Sequence, residues 1–430
     1  MPRVIDEVDA RNVLQSFLHY FRHEDQWYAF ATWANRLWLL TESEEKLISD
    51  FIREKPINAF TDIEQDFIVD LYKNCKPTLK RQIIEFDNQI ESMVLLVTEA
   101  CNFACTYCYG SYPEKQSVMK VDIAKKSVDL AIKLGVKELI FFGGEPLLNF
   151  QLIKEIVEYT ECLSFQGALR ITTNGSLITD SIAAFLAEHN IEVSVSMDGS
   201  RTQHDLTRVF KDGSSSYDSV VQGIECLKKY HALSLIEVTY SARHDKDLDD
   251  QVRAALNLHP VVSCACVDGK RGCKHSSDVI CGERMAAFYE KVLDLSKNLD
   301  DKNIVLGVDE LYQKICNGEV LESPPCLCSD LVSRMVVFAD GRISPCPELS
   351  DDKYTIGNVK DITPSEFLKN RAIILEKLSS DKLKKEWFSS LFETCIQHVI
   401  QNGDSFVYEN AKSFSDCAES LIIRYAKENA

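Results

Sequence analysis

Between residues 90 and 300 short apolar runs alternate with amphipathic stretches, and this rhythm restricts the fold more than any other feature of the chain. Residues 93–98, 138–142, 169–173, 191–196, 235–240 and 261–267 read as strands. Helical periodicity fills the intervals at 123–134, 152–161, 181–188, 217–229 and 248–258. Crossovers of this length bring the chain back in the same direction, so the strands belong to a parallel sheet. They are too few for a closed eight-stranded barrel. The expected class is α/β: a partial (β/α)6 TIM-like barrel over residues 86–310, with a further helix at 283–297.

Residues 1–85 read as a separate small α+β unit, within a chain long enough for two or three. Residues 27–41, WYAFATWANRLWLLT, suggest two aromatic-rich strands around a turn at Ala34, Asn35 and Arg36. Thr41 and Glu44 form a capping box that opens a helix, and a second helix is expected at 63–74. A hairpin with flanking helices is a winged-helix-like shape. No run of 18 apolar residues suggests a membrane span, and the first residues are too polar for a secretory signal, so the cytoplasm is the expected location. The 66 acidic against 48 basic residues leave a net charge of −18, which repels phosphate backbones and disfavours nucleic acid as a partner.

With no export signal, the 16 cysteines point to metal or redox chemistry rather than to disulfides. Cys101, Cys105 and Cys108 follow the first barrel strand, on the edge where βα folds assemble reactive sites. The CxxxCxxC spacing lets three thiolates converge on one [4Fe–4S] cubane, leaving its fourth iron open to a small molecule. Zinc is the competing occupant of a bare triad, since it also takes thiolates.

This loop resembles the signature of the radical S-adenosylmethionine (SAM) superfamily, with Tyr107 at the aromatic position before the last cysteine. Three later strand ends resemble the same family's pattern in order and spacing. Gly143, Gly144, Glu145 and Pro146 resemble its GGEP motif, which meets the methionine amino group; the glycines permit close backbone approach and a carboxylate suits an ammonium. Asn174, in a TNG turn, resembles the segment that approaches the cofactor. Ser196 opens SMDG, which continues through His204, Asp205 and Arg208. The resemblance implies that Ser196 contacts the ribose or carboxylate and that Arg208 pairs the methionine carboxylate, a bidentate role a guanidinium fits. It further implies that the reduced cluster cleaves SAM to a 5′-deoxyadenosyl radical, which abstracts a substrate hydrogen, with a flavodoxin- or ferredoxin-type protein as electron donor.

Residues 311–430 resemble the auxiliary Fe–S domain called SPASM, or its shorter twitch relative, through Cys328, Gly341, Cys346 and a later GN segment. Only Cys395 and Cys417 follow Cys346, fewer than a full SPASM domain carries. The resemblance implies one auxiliary [4Fe–4S] cluster drawn from Cys326, Cys328, Cys346, Cys395 and Cys417. Cys264, Cys266, Cys273 and Cys281 are further candidates, whereas Cys75, Cys162, Cys226 and Cys316 read as small buried hydrophobes. A last helix is expected at 412–430.

Relatives with such a domain mostly modify peptides or proteins. The leading expectation is a maturase of ribosomally made peptides that forms thioether or carbon–carbon cross-links and binds a leader peptide through residues 1–85. The alternatives are a sulfatase-maturating enzyme that makes formylglycine and a twitch-type small-molecule dehydrogenase. Sulfatase-maturating enzymes usually carry Asp directly after the GxxxxC cysteine, where this chain has Pro347; Asp330 and Glu348 are the remaining acid–base candidates.

Overall fold

Ser92–Thr98 (β4) is buried at every position, as a central strand covered on both faces must be. In the computed structural model, which describes residues 5–31, 36–76, 90–108, 110, 116–244, 248–267, 278–280, 283–299, 302–306, 333–378, 415 and 418–428, this strand lies inside a ten-stranded sheet. The barrel strands follow as Glu138–Gly143 (β5), Ala168–Thr173 (β6), Ile191–Ser196 (β7), Leu233–Tyr240 (β8) and Val261–Cys266 (β9), each parallel to the one before it. All six lie within two residues of their expected bounds. Ile304–Leu306 (β10) then adds a parallel edge strand beside β9.

The helices Val121–Leu134 (α4), Phe150–Cys162 (α5), Asp180–Glu188 (α6), Tyr217–Lys229 (α8), Leu248–Leu256 (α9) and Glu283–Lys297 (α10) cover one face of the sheet. Alternate strand residues reach that face: Met93, Leu95 and Val97 from β4, Leu139 and Phe141 from β5, Val193 and Val195 from β7, and Ile236 and Val238 from β8. The residues between them turn to the interior of the partial barrel, where Val94, Leu96, Ile140 and Phe142 meet. Two strict alternations back to back explain why β4 reads as one unbroken apolar run.

The C-terminal third joins the same sheet rather than standing apart from it. Arg334–Val337 (β11) pairs in parallel with β4, Arg342–Ser344 (β12) returns antiparallel beside it, and Gly357–Asn358 (β13) pairs with β12. The expected boundary near residue 311 therefore separates sequence segments, not sheets. Pro364–Leu378 (α11) follows, and residues 418–428 are helical within the range expected for the last helix.

The N-terminal unit has one helix and one strand more than expected: Glu7–Phe17 (α1) and Leu18–His23 (β1) precede Gln26–Ala31 (β2) and Arg36–Leu40 (β3). Residues 34 and 35 of the expected turn lie outside the described set, and Arg36 already belongs to β3. Thr41 and Glu44 make the expected capping box at Glu42–Ile52 (α2), and Thr61 with Glu64 makes a second at Asp62–Cys75 (α3). The meander is buried on both faces. Ala29 and Ala31 pack with Leu14, Ile48, Phe51 and Leu71 of the three helices, while Phe21, Tyr28 and Phe30 join the barrel core.

Phe30→Ala should therefore destabilise the protein by about 3–5 kcal/mol in urea denaturation, the cost of emptying a fully buried aromatic site. Leu39→Ala, on the same sheet but 51% exposed, should cost less than about 0.5 kcal/mol.

Candidate active site

The cysteine loop is pinned by main-chain hydrogen bonds to a segment about a hundred residues away. Ala104 N–H donates to Val209 O at 2.8 Å, Thr106 N–H to Thr207 O at 2.9 Å, and Lys211 N–H to Asn102 O at 3.1 Å. Phe103 and Phe210 face each other as an antiparallel bridge, with their rings edge to face at 5.0 Å. Segment 207–211, which follows the helix Arg201–Thr207 (α7), thus splints residues 102–106. This is how the HD…R stretch and the cysteine triad, about a hundred residues apart in the chain, come to share one site.

The turn after β5 closes from the other side. Gly144 N–H donates to Thr98 O at 2.9 Å and Glu145 N–H to Ala100 O at 2.8 Å. A Cβ on Gly143 would collide with the Thr98 carbonyl, and one on Gly144 with that of Ala100, so only glycine permits this approach. Glu145 is fully buried; its Oε1 accepts from Leu147 N–H (3.1 Å) and Thr173 Oγ1 (2.7 Å), and its Oε2 from Asn174 N–H (2.7 Å). Burial raises its pKa to about 7, against these donors. The carboxylate expected to await an ammonium thus already locks the ends of β5 and β6 together. Asn174 Nδ2 donates to Asn102 Oδ1 at 2.8 Å and lies 4.0 Å from Cys101 Sγ, so the TNG turn touches the cysteine loop directly.

Asp198, just beyond β7, is the hub of the third side and wholly buried. Its Oδ1 accepts from Thr239 N–H at 3.0 Å; its Oδ2 accepts from Thr207 Oγ1 at 2.8 Å and from the Tyr107 hydroxyl. Arg208 Nε stands 3.1 Å from Oδ2, an ion pair whose N–H points off the line of a hydrogen bond. Burial alone would raise the Asp198 pKa, but Arg208 beside it holds it below the usual carboxylate range. The guanidinium also lies 5.3 Å from the centre of the Tyr107 ring and donates through Nη2 to Thr239 Oγ1 at 3.3 Å. Asp198 and Thr239 engage only part of this five-donor fork, and its remaining N–H groups are those a carboxylate ligand would meet.

His204 fastens the hub. Its Nδ1 accepts the Asp198 N–H at 3.2 Å; its Nε2–H donates to Ser216 Oγ at 2.9 Å, which in turn donates to Arg208 O at 2.8 Å. The ring is neutral in this arrangement, because a proton on Nδ1 would face an N–H donor. Burial pulls its pKa down to about 4, with Arg208 and His244 adding to the effect and Asp198 and Asp205 opposing it. The role of His204 as a spacer between Asp198 and Arg208 was not legible from its spacing alone.

Cys101, Cys105 and Cys108 are half-buried and in no disulfide; Cys101 and Cys108 pack on the apolar floor of Val94, Leu96, Val336 and Phe338. Burial is the main cause that pushes the Cys101 thiol up to about 11 and the Cys105 thiol to about 12, with Cys108 beside them contributing to both. Among the described residues no three His, Cys, Asp or Glu side chains stand at metal-ligand spacing. The donor set itself suits an iron–sulfur cluster: three thiols on one loop, which a soft metal would deprotonate as it binds. Tyr107, Gly143, Gly144, Glu145, Asn174 and Arg208 gather around that loop, while Pro146 opens the 3-10 turn behind Glu145 and Ser196 lies at the end of β7.

Cys346 is half-buried on the turn after β12 and accepts the Glu348 N–H at 3.5 Å. Cys326, Cys328, Asp330, Cys395, Cys417, Cys273, Cys281 and Cys316 lie outside the described residues. Cys264 packs in the sheet–helix core, because its parity on β9 directs it there, and Cys266 lies against the same core. Cys75 is buried as expected, whereas Cys162 is exposed at the end of α5.

Residues 95–241 match the family model described as the Radical SAM superfamily. The chain is 32% identical over 315 residues to the radical SAM cyclopropyl synthase TigE of Paramaledivibacter caminithermalis, covering 66% of this chain and 62% of that protein. It is 26% identical over 368 residues to a cysteine-type anaerobic sulfatase-maturating enzyme of Clostridium perfringens, covering 76% and 96% respectively. The solved structure of native anSMEcpe with bound AdoMet and the Cp18Cys peptide has a similar fold, with a TM-score of 0.66 at 21% identity over 79% of this chain and 98% of that one. Against two of its curated relatives the chain spans only 50% and 62% of their length.

The neutral His204 predicts a pH effect on stability. Its folded pKa lies below the ordinary 6.5, so the unfolded chain takes the proton first; stability is complete above pH 6.5 and declines as the pH falls toward about 4. His204→Asn should remove up to about 1.4 kcal/mol per pH unit of that slope, read from urea midpoints at pH 7, 6 and 5.

Proposed function

We propose that this chain, whose residues 95–241 are a radical SAM superfamily domain, cleaves SAM at a [4Fe–4S] cluster held by Cys101, Cys105 and Cys108 and uses the product to modify a peptide or protein. The observation that carries the reading is the convergence of three strand ends on the loop that follows β4. Glu145, Asn174 and the Asp198–Arg208 pair each reach residues 100–107 by hydrogen bond or ring contact. When bound, the cluster and SAM supply an electron and a 5′-deoxyadenosyl radical, which takes a hydrogen atom from the substrate. The protein's own work is orientation and dryness. Arg208, fixed by Asp198, would offer a cation to the methionine carboxylate; the close-packed turn at Gly143 and Gly144 would leave backbone free to meet the amino group; the apolar floor under Cys101 and Cys108 would help exclude water.

A maturase of ribosomally made peptides is the first choice of substrate class. β3 is an outer strand of the N-terminal meander, and an extended leader peptide would extend that sheet beyond it. The likeness to the cyclopropyl synthase TigE supports this choice. Formylglycine formation is the second reading, supported by the likeness to the sulfatase-maturating enzyme but opposed by Pro347 at the position after Cys346. An auxiliary cluster using Cys346 with Cys326, Cys328, Cys395 or Cys417 remains part of the proposal. A reducing cytoplasm, with a flavodoxin or ferredoxin as donor, suits thiolate ligands. No described helix is long and apolar enough to cross a membrane.

Anaerobic reconstitution with iron, sulfide, dithionite and SAM should release 5′-deoxyadenosine, and Cys105→Ala should reduce that release to background by chromatography. Equal release from both proteins would remove the cluster assignment. Leu39→Glu, on the exposed side of β3, should weaken binding of a fluorescent leader peptide from a neighbouring reading frame by about tenfold or more. SAM cleavage without peptide should be unchanged, and unchanged peptide affinity would remove the leader site from β3.

A further inference from the structure

Asn102, Asn174 and Ser176 close a ring of hydrogen bonds between the cysteine loop and the turn after β6. Asn102 Nδ2 donates to Ser176 Oγ at 2.9 Å, the Ser176 hydroxyl donates to Asn174 Oδ1 at 2.7 Å, and Asn174 Nδ2 donates to Asn102 Oδ1 at 2.8 Å. The Ser176 N–H adds a second donor to Asn174 Oδ1 at 3.0 Å. Each amide nitrogen donates and each amide oxygen accepts, so the ring itself fixes which way both side chains face. Turning the Asn174 amide over would set its oxygen against Asn102 Oδ1 and its nitrogen against two donors.

The backbone beneath the ring is equally confined. Gly175 takes a φ of +77°, and its N–H donates to Thr173 Oγ1 at 3.0 Å, the hydroxyl that also donates to Glu145. A Cβ on Gly223 would collide with the Gly175 carbonyl, so α8 packs directly against the turn. Asn174 is only 7% exposed and has no freedom to swing away.

Asn102 takes one of the two N–H groups on Asn174 Nδ2. The same nitrogen lies 4.0 Å from Cys101 Sγ, and the Phe103 N–H donates to that sulfur at 3.4 Å. A thiol is a weak acceptor, whereas a thiolate bound to iron is negative and draws donors in as charge-assisted partners. The contact therefore strengthens when Cys101 gives up its proton to metal. It strengthens again when an electron arrives, because part of the added charge spreads onto the thiolate sulfurs. Hydrogen bonds to those sulfurs are one of the levers that set the potential of an iron–sulfur cluster.

We propose that the ring of Asn102, Asn174 and Ser176 holds the Asn174 N–H on Cys101 and thereby raises the reduction potential of the cluster. This rests on the reading of Cys101, Cys105 and Cys108 as cluster ligands. The flavodoxin- or ferredoxin-type donor gives up one electron and the cluster passes from the 2+ to the 1+ state; no covalent bond breaks and no proton moves, so Asn174 acts only by stabilising the added charge. Asn102 and Ser176 are positioning residues for that amide.

The test is the cluster's midpoint potential in the reconstituted full chain without SAM, followed by electron paramagnetic resonance and visible absorption, with iron and sulfide counted for each variant. Asn174→Ala should lower the reduction equilibrium constant about three- to tenfold, a fall of about 28–59 mV for a one-electron couple. Asn174→Asp, which keeps an acceptor for Ser176 but sets a negative charge beside the sulfur, should lower it further. Asn102→Ala and Ser176→Ala, which keep the Asn174 N–H but loosen its aim, should fall between wild type and Asn174→Ala. An unchanged or higher potential in loaded Asn174→Ala, with or without lost iron, would reduce the ring to a structural clasp and overturn the proposal. A wild type that takes up no cluster would overturn the cluster reading and this proposal together.

Discussion

The buried ion pair of Asp198 and Arg208 is the contact on which the site depends. Neither charge is tolerable alone in so dry a place. Together, with Tyr107, Thr207 and Thr239 completing the coordination, they convert a loop of alternating small and polar residues into a defined surface. The pair also adds a charged link where three elements already meet: Asp198 belongs to the end of β7, Arg208 to the segment after α7, and Tyr107 to the cysteine loop. Around it, the main-chain ladder between residues 102–106 and 207–211 gives the loop the rigidity of a strand without burying its sulfurs completely. Partial burial is what a cluster ligand requires, since a fully enclosed thiol could not reach metal and a fully exposed one would oxidise.

The barrel was legible in the sequence because β4 is one unbroken buried run and the later strands alternate apolar and polar residues between helical stretches. Cys101, Glu145 and Asn174 could be placed together because each directly follows one of these strands. Elements set by long-range pairing were not legible. β11, β12 and β13 have two to four residues each, too short for periodicity to mark, and they exist as strands because β4 offers an edge. β1, LHYFRH, carries charge and histidine at positions that only its packing between helices and barrel explains. Cys264, a further candidate by its spacing from Cys266, is directed by the pleat into the core.

The N-terminal meander has an unusual position for a small appended unit. One face is covered by its own helices and the other by the barrel, so it shares a core with each. His19 of β1 further bonds Glu419 near the C-terminus at 3.0 Å. A module seated in this way transmits strain to the barrel more directly than one on a flexible tether.

The pairing of β11 with β4 has a consequence for biosynthesis. Arg334 and Ser92 are register partners 242 positions apart, so the side of β4 away from β5 has no neighbour until most of the chain has left the ribosome. Throughout that interval a long, almost wholly apolar strand presents unsatisfied main-chain groups, the condition under which nascent proteins recruit chaperones or associate with one another. Completion of the sheet is thus paced by translation past residue 337, and a chain cut short near residue 300 would have its barrel wall unfinished.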